Sequence, residues 1–382
     1  MTKKEQIPVV YIITKLELGG AQKVCLSLFK ELQAKHHMTW LISGTEGPLV
    51  SLVQDDPHVI LLPSLVRECS FKTIKKDLQA FVALVKKLRA LKDDYPDLVV
   101  HTHSTKAGYL GRWAAFFAGI EQRFHTVHGF GFHKHQSVLG YAFAYLTELF
   151  TSLITTHYVC VSTEDQKIGS RLLPFFSDKN SLIRAAIDDE KFRAAHIEPL
   201  DKNTPFTFDT ISCFKKQKNL FDLLQAFYAV HQQYRHTRLE IIGDGALRPD
   251  IEQWIAEHNL EHVITLHGWC QEVAPFMQKW HAFVLSSLWE GLPCAAVEAR
   301  FLKLPVLSYN VGGIGDLIID GKNGFLYEPR NVQQLVHGMC SLISDKFLYQ
   351  KLKTYPEDLS AFTQSAMILQ HSLLYRSLAT RK

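Results

Sequence analysis

This 382-residue chain lacks most of the motifs that assign a chemistry at once. Its seven cysteines, Cys25, Cys69, Cys160, Cys213, Cys270, Cys294 and Cys340, are odd in number, widely spaced and never arranged as CxxC. That pattern excludes a zinc ribbon and a disulfide framework, and it predicts a reducing, cytoplasmic setting. HExxH is absent, and so is GxxxxGK[ST], which removes zincin and P-loop chemistry. Gly243-x-Gly245 is an incomplete dinucleotide fingerprint, because Arg248 stands where a third glycine belongs. Strong charge is also missing. A net charge of +4 suits a phosphorylated ligand or an anionic membrane surface and does not argue for nucleic acid. Short repeats and low-complexity segments are absent.

An ordinary globular composition is present, 47% apolar and 21% charged. The length predicts two domains. Short apolar, β-rich runs alternate with helical patterns. The first half has PVVYIIT (8–14), MTWLIS (38–43), HVILL (58–62), LVVHTH (98–103), RFHTV (123–127) and YVCVS (158–162). AAHIEPLDKNTPFT (194–207) is polar and reads as a linker. After it come FTFDTIS (206–212), RLEIIG (238–243), VITLHG (263–268), AFVLSS (282–287), PVLSY (305–309) and GFLY (324–327). Continuous apolar strands alternating with helices predict parallel sheets covered on both faces, here two α/β sandwiches in series. The expected domains are 1–200 and 201–355, with 356–382 as a closing helical segment able to cross back to the first domain.

MTKKEQIPVVYIIT has a basic start, but no small-residue cleavage site follows its apolar run, so it reads as a first strand. LGYAFAYLTELFTSLITTHYVCV is the best candidate for a membrane span. Glu148, His157 and several threonines interrupt it, and a partly buried helix is the expectation.

In open α/β sheets ligands bind beyond the carboxyl ends of the strands, so residues there carry the weight. The expected site is a cleft onto which both sets of strand ends face. Gly19-Gly20 lets the backbone approach a ligand at a helix start. Six histidines lie between 101 and 135, yet no carboxylate or cysteine completes a metal set. His128, before a Gly-rich turn, reads as a hydrogen-bonding group; His101 and His125 read as buried strand residues. Lys215, Lys216 and Lys218 cluster after a strand and can hold a diphosphate. SLWEGLPCAAVEA (287–299) places Glu290 in an approach loop and Glu298 in the second turn of a helix starting near Pro293 or Cys294. The amides of Gly291, Leu292, Pro293's neighbours and Cys294 would point into the cleft.

Together these segments resemble the GT-B glycosyltransferases of family 4, the retaining group often labelled group 1. EGLPCAAVEA is similar to the family's E-x7-E element. LEIIGDGALRPDIE, VITLHG and PVLSYNVGGIGDLIIDGKNGFLYEP also look like its recurring segments, as do GGAQ, HTHSTKAGYLGR and HTVHG in the first half. The resemblance implies two Rossmann-like, doubly wound domains facing across a cleft. It implies that Glu298 holds the ribose of a UDP- or GDP-linked sugar and that Glu290 contacts the transferred sugar. Lys218 then meets the diphosphate, His128 reaches toward the sugar, and Gly19 and Gly20 lie near the phosphates and acceptor. Two positions depart from the pattern. Ser212-Cys213 stands where the family has Gly-Arg, leaving Lys215 to supply charge without an arginine's bidentate fork. Ala185-Ala186 replaces the usual Asn-Gly before the crossover.

The implied function is retaining sugar transfer to a saccharide or lipid-linked saccharide in surface polysaccharide synthesis. It needs no cofactor, and no metal is expected, since D-x-D is absent and the lysines can offset the leaving diphosphate. No protein nucleophile is needed, so the two carboxylates are not a glycosidase pair. The alternatives are a non-catalytic relic that binds a nucleotide-sugar or a partner enzyme, and a sugar-nucleotide epimerase. The basic amphipathic stretch KTIKKDLQAFVALVKKLRALK can lie on an anionic membrane at the cytoplasmic face, or pack on the sheet with a solvated lysine face.

Overall fold

The computed structural model describes residues 7–68, 71–193 and 204–379. Most of the expected linker, 194–203, lies outside the described residues. Two compact units are present, Met1–Ala185 with Gln364–Lys382, and Ala186–Thr363. The first division therefore falls earlier than the expected 200/201, and the second falls at 363/364 rather than 355/356. The reason for the second is that residues 346–363 pack on the second sheet's helices before the chain leaves that unit.

Unit 1 runs β1 (Val9–Ile13), α1 (Gly20–Ala34), β2 (Thr39–Ser43), β3 (Val59–Leu61), α2 (Ile74–Asp94), β4 (Val99–His103) and α3 (Thr105–Phe117). It continues with β5 (Gln122–Val127), α4 (Val138–Ser152), β6 (His157–Cys160), α5 (Thr163–Leu172) and β7 (Asn180–Leu182). Its seven strands pair in the order β3-β2-β1-β4-β5-β6-β7, every pair parallel. β7 is an addition to the expected strands; its three residues, Asn-Ser-Leu, are too short and polar to show a strand pattern. The span candidate resolves into α4 followed by strand β6. Among the described residues no helix is long and apolar enough to cross a membrane.

Unit 2 runs α6 (Glu190–Arg193), β8 (Phe206–Ile211), α7 (Leu220–Gln233), β9 (Thr237–Ile242), α8 (Arg248–Glu257), β10 (Ile264–Gly268), α9 (Ala274–Met277) and β11 (Ala282–Leu285). Then come α10 (Cys294–Phe301), β12 (Val306–Tyr309), β13 (Gly324–Tyr327), α11 (Val332–Ser344) and α12 (Lys346–Lys353). The six strands pair in parallel in the order β10-β9-β8-β11-β12-β13. Both orders reverse direction beside the first strand of the unit, which is the switch point where doubly wound sheets bind ligands. The core of unit 2 gathers Phe208, Leu239, Ile241 and Val284 from the sheet with Leu223, Phe227 and Met339 from the helices.

The closing helix α13 (Gln364–Ala379) belongs to unit 1. It is tied to the sheet by a buried polar chain. Tyr11 Oη lies 3.1 Å from Tyr375 Oη, which lies 2.6 Å from His101 Nδ1, and His101 Nε2 meets Thr126 Oγ1 at 2.7 Å. Tyr11 can face α13 because its neighbours Val10 and Ile12 face the opposite core. His101 and His125 are buried strand residues, as their alternation predicted.

Burial holds His101 and His103 well below the usual imidazole range, with their histidine neighbours adding to it, and His371 is pushed down to about 4 by burial. The unfolded chain binds these protons near pH 6.5 while the folded chain does not, so stability falls as the pH drops from 6.5 toward 4. We expect calorimetry to show the melting temperature of unit 1 declining across that window. His371→Phe should flatten the slope by up to about 1.4 kcal/mol per pH unit; an unchanged slope would remove His371 from the linkage.

Candidate active site

In unit 2 two adjacent strands, β8 and β11, deliver the candidate residues from their carboxyl ends. After β8 the chain passes buried Ser212, Cys213 and fully buried Phe214, then makes a tight turn over Lys216–Lys218 into α7. After β11 it passes Ser286, Ser287, Leu288, Trp289 and Glu290 to Pro293, which caps α10. The two loops are cross-linked. Leu288 N donates to Gln217 O at 2.8 Å, and Gln217 Nε2 returns a bond to Trp289 O at 2.8 Å. Ser286 Oγ lies 3.1 and 3.0 Å from the carbonyls of Lys218 and Asn219. This stitching brings Lys218 Nζ onto Glu290 Oε1 as a short ion pair, with both side chains largely shielded.

A third loop supports the pair. Gly312 has φ +55°, and a Cβ there would collide with the Glu290 carbonyl oxygen. Gly313 N then donates to Gly291 O at 2.7 Å. Only glycine lets the Gly312–Asp316 turn lie against the backbone that carries Glu290. Gly243, at φ +131°, is likewise pressed on the Ser212 carbonyl, and Phe214 N donates to Asp244 O at 2.8 Å. The GxG sequence therefore packs the β8–α7 turn.

Glu298 is buried in the second turn of α10. The far end of that helix is anchored by Arg300, which is fully buried. Arg300 Nη2 and Nε reach Glu357 at 2.6 and 3.2 Å, and Asn323 Nδ2 donates to Glu357 Oε2 at 2.8 Å. Burial alone would raise the Glu357 carboxyl, but hydrogen bonds and charge from Arg300, with Asn323 and Lys303, outweigh it and hold it below the usual range.

Sequence reading missed three polar atoms near the strand ends. Ser212 Oγ, Ser287 Oγ and Asn219 Nδ2 are buried with no hydrogen-bond partner among the described residues. Unpaired buried polar atoms are costly, and these three at two strand ends and a helix start are free to meet a polar ligand. Asn219 also holds a left-handed backbone at φ 48°. The signal in sequence was the serine at each strand end, Ser212 and Ser287, which has no use in an apolar core.

In unit 1 a cavity of about 270 Å³ is lined by Thr14, Gln22, Arg67, Ser104, Lys106 and His128, with other neighbours. Gly20 opens α1, and its neighbours Ala21 and Gln22 reach the cavity wall. Ser104 adopts φ 67°, ψ 152°, a conformation that costs non-glycine residues about 1–3 kcal/mol. Its Oγ lies 3.2 Å from Thr14 Oγ1. His128 Nε2 lies 3.0 Å from His103 Nδ1. Burial, with His371 adding, pushes the His128 imidazole down to about 3, which leaves the ring neutral near pH 7. The predicted residues thus fall into two sets. Lys215, Lys218, Glu290, Gly291, Leu292, Pro293, Cys294 and Glu298 belong to unit 2, and Gly19, Gly20 and His128 to unit 1. Among the described residues no three His, Cys, Asp or Glu side chains gather as a metal set.

Both units have the doubly wound parallel topology of the GT-B fold. Residues 190–358 match the family described as "Glycosyl transferases group 1", and residues 18–191 match "Glycosyltransferase Family 4". The chain belongs to the group 1 glycosyltransferases. It is 33% identical, over 87% of its length and 86% of the relative's, to the UDP-Gal:alpha-D-GlcNAc-diphosphoundecaprenol alpha-1,3-galactosyltransferase of Escherichia coli. Two solved structures share its fold. Sucrose-phosphate synthase from Thermosynechococcus elongatus superposes with a TM-score of 0.82 at 20% identity, over 99% of this chain and 100% of that one. Anabaena HepE in complex with UDP-glucose gives 0.80 at 17% identity, over 97% and 100%.

Proposed function

We propose that this glycosyltransferase moves a hexose from a UDP-linked donor to a lipid-linked saccharide in surface polysaccharide synthesis, with retention of configuration and without a metal ion. The observation that carries the donor half is the Lys218–Glu290 pair, held at adjacent strand ends beside three unsatisfied polar atoms. The Escherichia coli relative, whose name specifies UDP-Gal and a diphosphoundecaprenol-linked sugar, supports the UDP base and the lipid-linked acceptor.

Each residue has a role that its chemistry suits. Lys218, with Lys215 nearby on the same turn, offsets charge growing on the leaving diphosphate. Glu290 accepts hydrogen bonds from hydroxyls of the transferred sugar, and the amides from Gly291 to Cys294 at the start of α10 complete that grip. Glu298 binds the ribose. His128, neutral across the working pH range, offers a hydrogen bond toward the sugar, and the Gly19-Gly20 turn leaves room for the acceptor. Attack comes from the face the diphosphate leaves, and a phosphate oxygen takes the acceptor's proton.

A thermal-shift panel of UDP- and GDP-sugars tests the donor, since specific binding raises apparent stability. We expect UDP-hexoses to give the largest shift and Glu298→Ala to weaken UDP by about 10-fold or more, the loss of a charged hydrogen bond to a hydroxyl. Unchanged UDP affinity in that variant would sink the ribose assignment. Transfer to a polyprenyl-diphosphate saccharide should persist in excess EDTA; complete loss that Mg²⁺ restores would contradict the metal-free reading.

A further inference from the structure

α4 turns Tyr145 and Leu149, half-buried, against a small apolar core of unit 1 and buries its polar residues more deeply. Its buried residues are Glu148, Thr151 and Ser152. Glu148 takes a two-pronged bond from fully buried Arg112, at 2.8 and 2.9 Å, and a third from Tyr158 Oη at 2.7 Å. Thr151 Oγ1 accepts from Trp113 Nε1 at 3.1 Å. The outward ridge is apolar: Leu139 (83% exposed), Phe143 (63%), Leu146, Phe150 (58%) and Leu153. These positions repeat at three and four residues, so they form one stripe along the helix. Single exposed apolar residues are ordinary, but a stripe spanning a whole helix marks a surface that something covers.

The neighbouring elements say what kind of surface. α3 packs beside both α2 and α4 in one layer. α2 carries exposed Lys75, Lys76, Lys86, Lys87 and Arg89 among exposed Leu78 and Val82. Between α2 and the end of α3 lies an apolar groove of about 570 Å³, lined by Phe81, Val82, Val85 and Phe117 with Lys86 and Arg89, and Asp93 at one end. An apolar stripe, an apolar groove and a run of cations on one layer complement an anionic bilayer, whose acyl chains and headgroup phosphates need those two chemistries side by side.

We propose that the α2–α3–α4 layer of unit 1 is a monotopic docking surface for anionic phospholipid, with the α4 stripe entering the acyl boundary and the α2 cations meeting headgroups. The proposal adds to the lipid-linked acceptor reading and stands without it, because vesicle binding needs neither donor nor acceptor.

Flotation of the full chain with phosphatidylglycerol-containing vesicles, against phosphatidylcholine alone, tests it. The protein should float with the anionic vesicles, and added salt should weaken binding. Phe143→Ser with Phe150→Ser should lower partitioning about 10-fold or more, and so should glutamine at Lys75, Lys76, Lys86 and Lys87. Both variants should keep the parent melting temperature and UDP shift, since the altered side chains are exposed. Phe347→Ser, at an equally exposed phenylalanine of unit 2 (81%), should change nothing. Failure to float, or equal loss in the Phe347 control, would overturn the proposal. So would a lipid-free dimer in sedimentation that the Phe143 and Phe150 changes dissociate, which would put a second copy on this face.

Discussion

Lys218→Ala is expected to lower kcat by about 10²–10⁴-fold while donor KM rises far less, because charge on the diphosphate grows most in the transition state. The geometry supplies a second reason for a large effect. Lys218 is the ion-pair partner of Glu290, and both side chains are largely shielded from water. Removing the lysine leaves a shielded carboxylate without its counter-charge, facing the position assigned to an anionic donor. That converts a favourable pair into a repulsion. Glu290→Gln should cost less, since the amide keeps an acceptor oxygen for a sugar hydroxyl. The double variant should lose less than the product of the two single losses, as interacting neighbours do. Steady-state kinetics on variants with unchanged melting curves would read all three. Lys218→Ala with kcat within about threefold of the parent would remove the lysine from the leaving group.

The strand ends that carry this pair were legible in the sequence. FTFDTIS and AFVLSS are apolar runs bounded by turns, and each became a buried parallel strand. The place of Glu290 in a loop and Glu298 in the second turn of a helix also followed from Pro293, whose fixed φ suits a helix start. What could not be read is what distant residues do to one another. Lys218 and Glu290 are separated by 72 positions, and the loop-to-loop bonds of Gln217 that align them leave no periodic trace. Gly312 looked like part of a recurring segment; its close approach to Glu290 depends on a third strand end. α4 is the partly buried helix that its interrupting polar residues predicted; what could not be read is that Glu148, Thr151 and Ser152 are its most deeply buried residues. Glu148 goes inward because Arg112 and Tyr158, 36 and 10 positions away, meet it there. Periodicity reports that a helix has two faces, and only tertiary partners decide which face turns in.

The same dependence on a distant partner sets the largest expected stability effect. Glu357→Ala should destabilise unit 2 by about 3–5 kcal/mol, the usual cost of leaving one member of a buried ion pair alone. At that unit's size this corresponds to a melting shift of roughly 6–20 °C. Arg300 has no exposed surface and donates two of its bonds to Glu357, so it has no nearby water to turn to. Asn323 loses an acceptor in the same change. Acid should reproduce the effect in the parent protein. The Glu357 carboxyl titrates below its ordinary value of about 4.5, so the unfolded chain takes up its proton first. Stability from this group is full above that pH and is lost as the pH falls through the lower folded value. Glu357→Gln should be less stable than the parent at pH 7 and should lose less on acidification. The functional consequence travels along one element. Arg300 sits near the last turn of α10, and the first turn of the same eight-residue helix follows the loop that holds Glu290. Loosening the anchor should therefore weaken UDP binding in Glu357→Gln even at temperatures where the variant is fully folded. A variant that melts early yet binds UDP as tightly as the parent would show that α10 is held in place without Arg300, and that its amides need no anchor at the far end.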